Sequence, residues 1–205
     1  MADSIEGLGT APLWRATINW RDVPKYDYEI PRRVVNFDGT ATALFTLASA
    51  EPQQLEFLVT ARNKQQEFDL ISQFATFQGR HKRFWLLLPM RMFKLVGSQG
   101  IGTQIVAEFD GFVSRGFERL YWLTVDNDLI TREVTGHTTD EGAGTQTFTL
   151  GTATDRVLDP NDIVLFSLAI LCRLDQDTLE MDWQSDAVSE TTVKVFELVE
   201  EYDDV

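Results

Sequence analysis

The stretch Asn63–Pro89 reads NKQQEFDLISQFATFQGRHKRFWLLLP, and it contains a change of period that decides the fold. In its first part, Phe68, Ile71, Phe74, Ala75 and Phe77 recur at helical spacing. Asn63 is a good N-cap, with Gln66 and Glu67 in the first turn. Gly79 is placed to end the helix in the left-handed conformation. A helix over 63–78 follows, with Phe68, Ile71, Phe74 and Ala75 expected to face a sheet. The apolar run FWLLL then reads as a buried strand stopped by Pro89, with Trp85 and Leu87 on one face.

On either side the period is that of strands. LWRATINW (13–20) and LEFLVTA (55–61) alternate, and VVNF leads through Asp38-Gly39 into TATALFTLA, a hairpin pattern. Downstream, MRMFKLVG, IVAEFDGF, RLYWLTV, LITREVTG, TQTFTLG, IVLFSLAILCRL, TLEMDWQ and TTVKVFELVEE all carry β signals, joined by short connections rich in Gly, Asp, Asn and Thr. The expected fold is mainly β: an antiparallel β-sandwich or partly open barrel with one principal α-helix at 63–78. The expected organisation is a flexible arm over 1–12, a β-rich domain over 13–201 and an acidic tail over 202–205. Region 97–155 is a candidate for an inserted or second β subdomain.

With 205 residues, of which 43% are hydrophobic, the chain can bury a sizeable core. Its formal net charge of −14 disfavours non-specific binding to nucleic acid or an anionic membrane. The N-terminus lacks the order of a signal peptide, and no apolar run reaches the length of a membrane span. Synthesis in a cytosol and a soluble product are expected. The lone Cys172 lies in an apolar run and reads as a buried free thiol.

Enzymatic readings find little support in these residues. One cysteine and two histidines, His81 and His137, do not make a zinc site of the usual type. A Cys172–His pair would need a thiolate where burial disfavours one. Asp175, Asp177, Glu180 and Asp182 crowd one hairpin but lack the glycine and spacing of a calcium loop. Carboxylate pairs for glycoside hydrolysis are available, but no spacing singles one out. The glycine-rich segments at 97–103 and 142–145 lack the ending of a phosphate loop and read as turns. Exposed aromatics could line a carbohydrate-binding face, although packing is their commoner use. No cofactor or metal is expected.

The basic run Arg80-His81-Lys82-Arg83 stands out in an acidic chain. It follows a helix C-terminus, where cations meet unpaired carbonyls and the negative dipole end. Arg80, Lys82 and Arg83 are the candidate subunit interface, because a second copy offers many carboxylates. Nucleic-acid binding would need further basic residues on the same face.

EFDLISQFATFQGRHKRFWLLLP resembles bacteriophage tail proteins, in which a helix ending in an F…GR…FW pattern recurs. YWLTVDNDLITREVTG, the following hairpin with TFTL, CRLDQDTLEMDWQSD and TTVKVFELVE extend the resemblance over most of 55–201. It is similar to the distal tail protein of long flexible-tailed phages and prophages. The resemblance implies a β-sandwich-like structural subunit without enzymatic activity. It further implies a ring, often a hexamer, in the virion tail, with tail tube and tail tip or hub proteins as partners. DNA would pass through the lumen without specific binding, and synthesis would be in the bacterial cytoplasm. The alternative reading is a carbohydrate-binding β-sandwich module of a tail tip or cell surface.

Overall fold

The computed structural model describes residues 11–16, 18–19, 25–28, 32–37, 41–46, 53–88, 91–109, 119–186 and 188–198. In chain order the elements are β1 (Ile18–Asn19), β2 (Lys25–Tyr28), β3 (Arg32–Phe37), β4 (Ala41–Thr46), β5 (Gln53–Ala61) and α1 (Lys64–Phe77). A 3-10 turn over Gly79–His81 follows. Then come β6 (Phe84–Leu87), β7 (Gln104–Glu108), β8 (Arg119–Thr124), β9 (Leu129–Asp140), β10 (Thr145–Leu150), β11 (Ile163–Leu174), β12 (Asp182–Trp183) and β13 (Ser189–Glu197). The protein is mainly β, the named strands whose register is resolved pair antiparallel, and the described residues contain one α-helix. The strand pairing does not close into a barrel. No helix among the described residues is long and apolar enough to cross a membrane.

The chain divides into two compact units. One is built from Trp14–Phe84 and Leu171–Asp204; the other is built around Trp85–Ile170. In the first, β13 lies beside β5, in register from Ser189 opposite Ala61 to Phe196 opposite Gln54. Both strands alternate. Leu55, Phe57, Val59 and Ala61 of β5 are buried, as are Val193 and Val195 of β13, while the intervening positions are at least partly exposed. β1 and β2 pair with β5, and β12 and the last residues of β11 pair with β13. β3 and β4 form a hairpin, with Val34 opposite Leu44 and Val35 opposite Ala43. The expected turn residues Asp38 and Gly39 lie outside the described residues.

α1 starts where its cap predicts. The Asn63 side chain accepts the Gln66 amide at 2.9 Å, and the Gln66 side chain accepts the Arg62 amide at 2.8 Å. Its phase differs from the sequence expectation. Leu70 and Phe77 are the buried residues of α1, Phe74 is half-buried, and Phe68, Ile71 and Ala75 are exposed. The helix carries two apolar stripes at 3–4 spacing. The one that packs is Leu70–Phe74–Phe77, because Phe77 joins an aromatic cluster. There it stacks on Phe84 with ring centroids 4.4 Å apart and on Trp14 at 5.7 Å, while Trp14 meets Phe57 edge-on at 5.8 Å. The helix end also differs. Gln78 is the first left-handed residue, at φ 53°, and Gly79 follows at φ 60°.

In the second unit the strand order is β11–β8–β9–β10–β7, using the first part of β11. Two hairpins make most of it, one turning at residues 125–128 and one at 141–144, where Gly144 has φ 64°. Trp122, Leu120, Ile105 and Phe148 are fully buried, and Phe93 meets Phe148 and Phe166 at 5.1 and 5.2 Å. The Tyr121 hydroxyl donates to the Leu88 carbonyl, and burial pushes its phenol far above its ordinary pKa.

The strand expectations hold for most of the described residues, with three corrections. Within MRMFKLVG the described residues 91–97 form no strand: the Met92 and Phe93 amides both donate to the Phe166 carbonyl, and Leu95 makes an isolated bridge to Ala107. In LWRATINW the described strand is Ile18–Asn19 alone, because the Trp14 ring turns inward and donates to the Ala16 carbonyl. In TLEMDWQ it shrinks to Asp182–Trp183, because the Glu180 carbonyl accepts the Thr191 hydroxyl instead of a ladder amide. In β6, Trp85 is buried as expected, while Leu87 is half-buried.

Candidate functional site

The basic run lies just beyond the left-handed end of α1. The Lys82 amide closes the helix onto the Phe77 carbonyl at 3.0 Å, and the Gln78 amide donates to the Ala75 carbonyl at 3.2 Å. Backbone donors therefore satisfy helix-end carbonyls that the sequence had suggested for cations. The Arg80 guanidinium turns instead to the loop that follows β11. It donates to the Asp175 carbonyl at 2.6 Å and lies 3.5 Å from an Asp175 carboxylate oxygen and 3.9 Å from one of Asp177. Its backbone amide donates to Asp177 Oδ1 at 3.1 Å.

That loop is itself tied to β13. The Asp175 amide donates to the Lys194 carbonyl, and the Gln176 side chain bridges Thr192 and Lys194. Two of the clustered carboxylates thus serve an intrachain clamp on Arg80. Arg80 and Lys82 are exposed and Arg83 is half-buried. Arg80 remains 58% exposed at its side chain while making these contacts, so its fork is still accessible to a neighbour.

Cys172 is fully buried opposite Glu197, which is also fully buried. Burial, and then the negative charge of Glu197, push the thiol well above its ordinary pKa, so it is a poor nucleophile. His81 is exposed on the 3-10 turn. His137 lies on β9, 3.2 Å from Gln146 Oε1 and against the Phe148 ring. Among the described residues, no group of three or more His, Cys, Asp or Glu is placed to hold a metal ion.

Two features escape sequence reading. The first is the outer face of α1, where Phe68 is 67% and Ile71 45% exposed. The second is Trp183, over whose ring Lys64 places its ammonium at 3.8 Å from the centroid. The helical spacing of Phe68, Ile71 and Ala75 was the available signal for the first. Nothing local signals the second, because Lys64 and Trp183 meet only through the fold.

No protein-family model matches the chain, and no curated protein matches it in sequence.

Proposed function

We propose that this chain is a structural protein of a bacteriophage tail, a subunit of a ring that connects the tail tube to the tail tip. The observation that carries the reading is the outer face of α1. In a chain of net charge −14, Phe68 and Ile71 stand in water on a helix whose opposite face is already packed. Two exposed apolar side chains one turn apart on a helix face suit a contact with a partner. A subunit that spends its life in an assembly supplies that partner. Phe68 and Ile71 lie within the EFDLISQFATFQGR segment that carries the tail-protein resemblance.

In this reading the partners are further copies of the chain in a ring, the tail tube protein, and tip or hub proteins. Arg80, with Lys82 and Arg83, meets carboxylates of a neighbouring copy at the rim of the apolar contact. The acidic excess suits a wall past which DNA slides without sticking. The test is co-expression with a tail tube protein and imaging of the product. A ring at the end of a tube supports the reading; a monomer that never joins the tube ends it.

A further inference from the structure

Trp183 sits on the short strand β12, paired with Ser189 of β13, yet leaves 52% of its surface in solvent. The turn beside it is held firmly. The Gln184 and Ser185 amides both donate to the Val188 carbonyl, and the Ser185 hydroxyl accepts the Val188 amide at 3.2 Å. From the first turn of α1, Lys64 brings its ammonium to 3.8 Å from the ring centroid, while Glu67 holds the same ammonium at 3.2 Å. The indole stays half exposed with the ammonium in place. Beside it opens a shallow hollow of about 550 Å3 lined by Lys64, Trp183, Gln184, Ser185 and Asp186.

We infer that this hollow is a saccharide-binding subsite, with a pyranose ring stacked on the part of the Trp183 indole that Lys64 leaves exposed and its hydroxyls held by Gln184 and Asp186. The composition of the lining points to that class. It has one flat apolar surface, and every other lining side chain is polar. An apolar peptide would find one aromatic and no further apolar wall. A small inorganic anion would make no use of the indole and would meet Asp186. A sugar has a flat C–H face for the ring and hydroxyls at its edge. Hydroxyls both donate and accept, and the lining answers both: the Asp186 carboxylate accepts only, and the Gln184 amide does either.

One stacked ring in an open hollow binds weakly, with a Kd near a millimolar expected. Several copies on one particle would raise the apparent affinity through effective concentration. The subsite does not depend on the ring reading, since a lone subunit carries all of its residues.

The test uses the full chain labelled with nitrogen-15, titrated separately with chitotetraose, maltohexaose and methyl α-mannoside. The Trp183 indole N–H resonance is assigned from the Trp183→Phe protein. At least one sugar is expected to shift it in a saturable way. The same sugar should bind the Asp186→Ala protein roughly tenfold more weakly, the loss of one charge-assisted hydrogen bond. Calorimetry should detect no binding to the Trp183→Ala protein, whose fold is verified by an unchanged far-UV spectrum and melting curve. The inference is overturned if that resonance is unmoved by all three sugars up to about 10 mM, ten times a millimolar Kd. Equal binding by folded Trp183→Ala protein would overturn it as well.

Discussion

Asp177 Oδ1 lies 2.6 Å from the position a Cβ on Gly79 would occupy, and the same oxygen accepts the amide of Arg80. The turn after α1 therefore needs glycine twice over, for its positive φ and for the close approach of a carboxylate. Gly79→Ala should destabilise the protein by about 1–3 kcal/mol, the usual cost of such strain. Gln78→Gly should be neutral or stabilising by up to about 1 kcal/mol, because it relieves a left-handed non-glycine residue. Urea denaturation of both variants checks the contrast. Equal destabilisation by the two would contradict this geometry.

The phase of α1 predicts a division among its apolar side chains. Leu70→Ala should cost about 2–5 kcal/mol and Phe77→Ala about 3–5 kcal/mol, since both side chains are buried. Phe68→Ala and Ile71→Ala should stay within about 0.5 kcal/mol of wild type in the isolated subunit. Denaturation midpoints of the four proteins rank them. A large loss at Phe68 would place the other stripe in the core.

The start of α1 was legible in the sequence and its end to within a residue, while its phase was not. Asn63 and Gly79 are local signals, and a cap or turn is satisfied by residues a few positions away. Phe68–Ile71–Ala75 and Leu70–Phe74–Phe77 are equally good stripes, and only the distant Trp14, Phe57 and Phe84 select the second. The strand β11 was legible as an uninterrupted apolar run. MRMFKLVG alternates like a strand, but two of its amides converge on one carbonyl, which no alternation reveals. The basic run was conspicuous as a cluster, while its partners Asp175 and Asp177 come from the far end of the chain. The Trp183 hollow depends on a helix and a hairpin brought together by the sheet.

Asp159 offers a pH signature. Hydrogen bonds from the Asn161 amide, and then from the Ser98 hydroxyl, hold its carboxyl below the ordinary value. A folded pKa below the unfolded one contributes stability above the unfolded pKa, and that contribution is lost as pH falls through the folded pKa. The Asp159 carboxyl resonance should therefore titrate below about 3.9, and Ser98→Ala should move its midpoint upward. An unshifted midpoint in the wild type would remove the Ser98 tie from the folded protein in solution.

Cys172 should be silent toward an aromatic disulfide reagent in the native protein and react once in denaturant, because the thiol is buried and its ionisation suppressed. Fast native labelling would mean that the end of β11 opens readily.

Assembly is tested most directly by sedimentation velocity with negative-stain imaging of the wild-type chain beside a protein carrying both Phe68→Asp and Ile71→Asp. The wild type is expected to sediment as one discrete multi-subunit species with ring-shaped images. The double variant is expected to remain folded and sediment as a monomer, because two carboxylates on the outer face of α1 cannot be buried cheaply against a neighbour. A wild-type chain that stays monomeric across the concentration range, with a profile indistinguishable from the variant's, would contradict the ring.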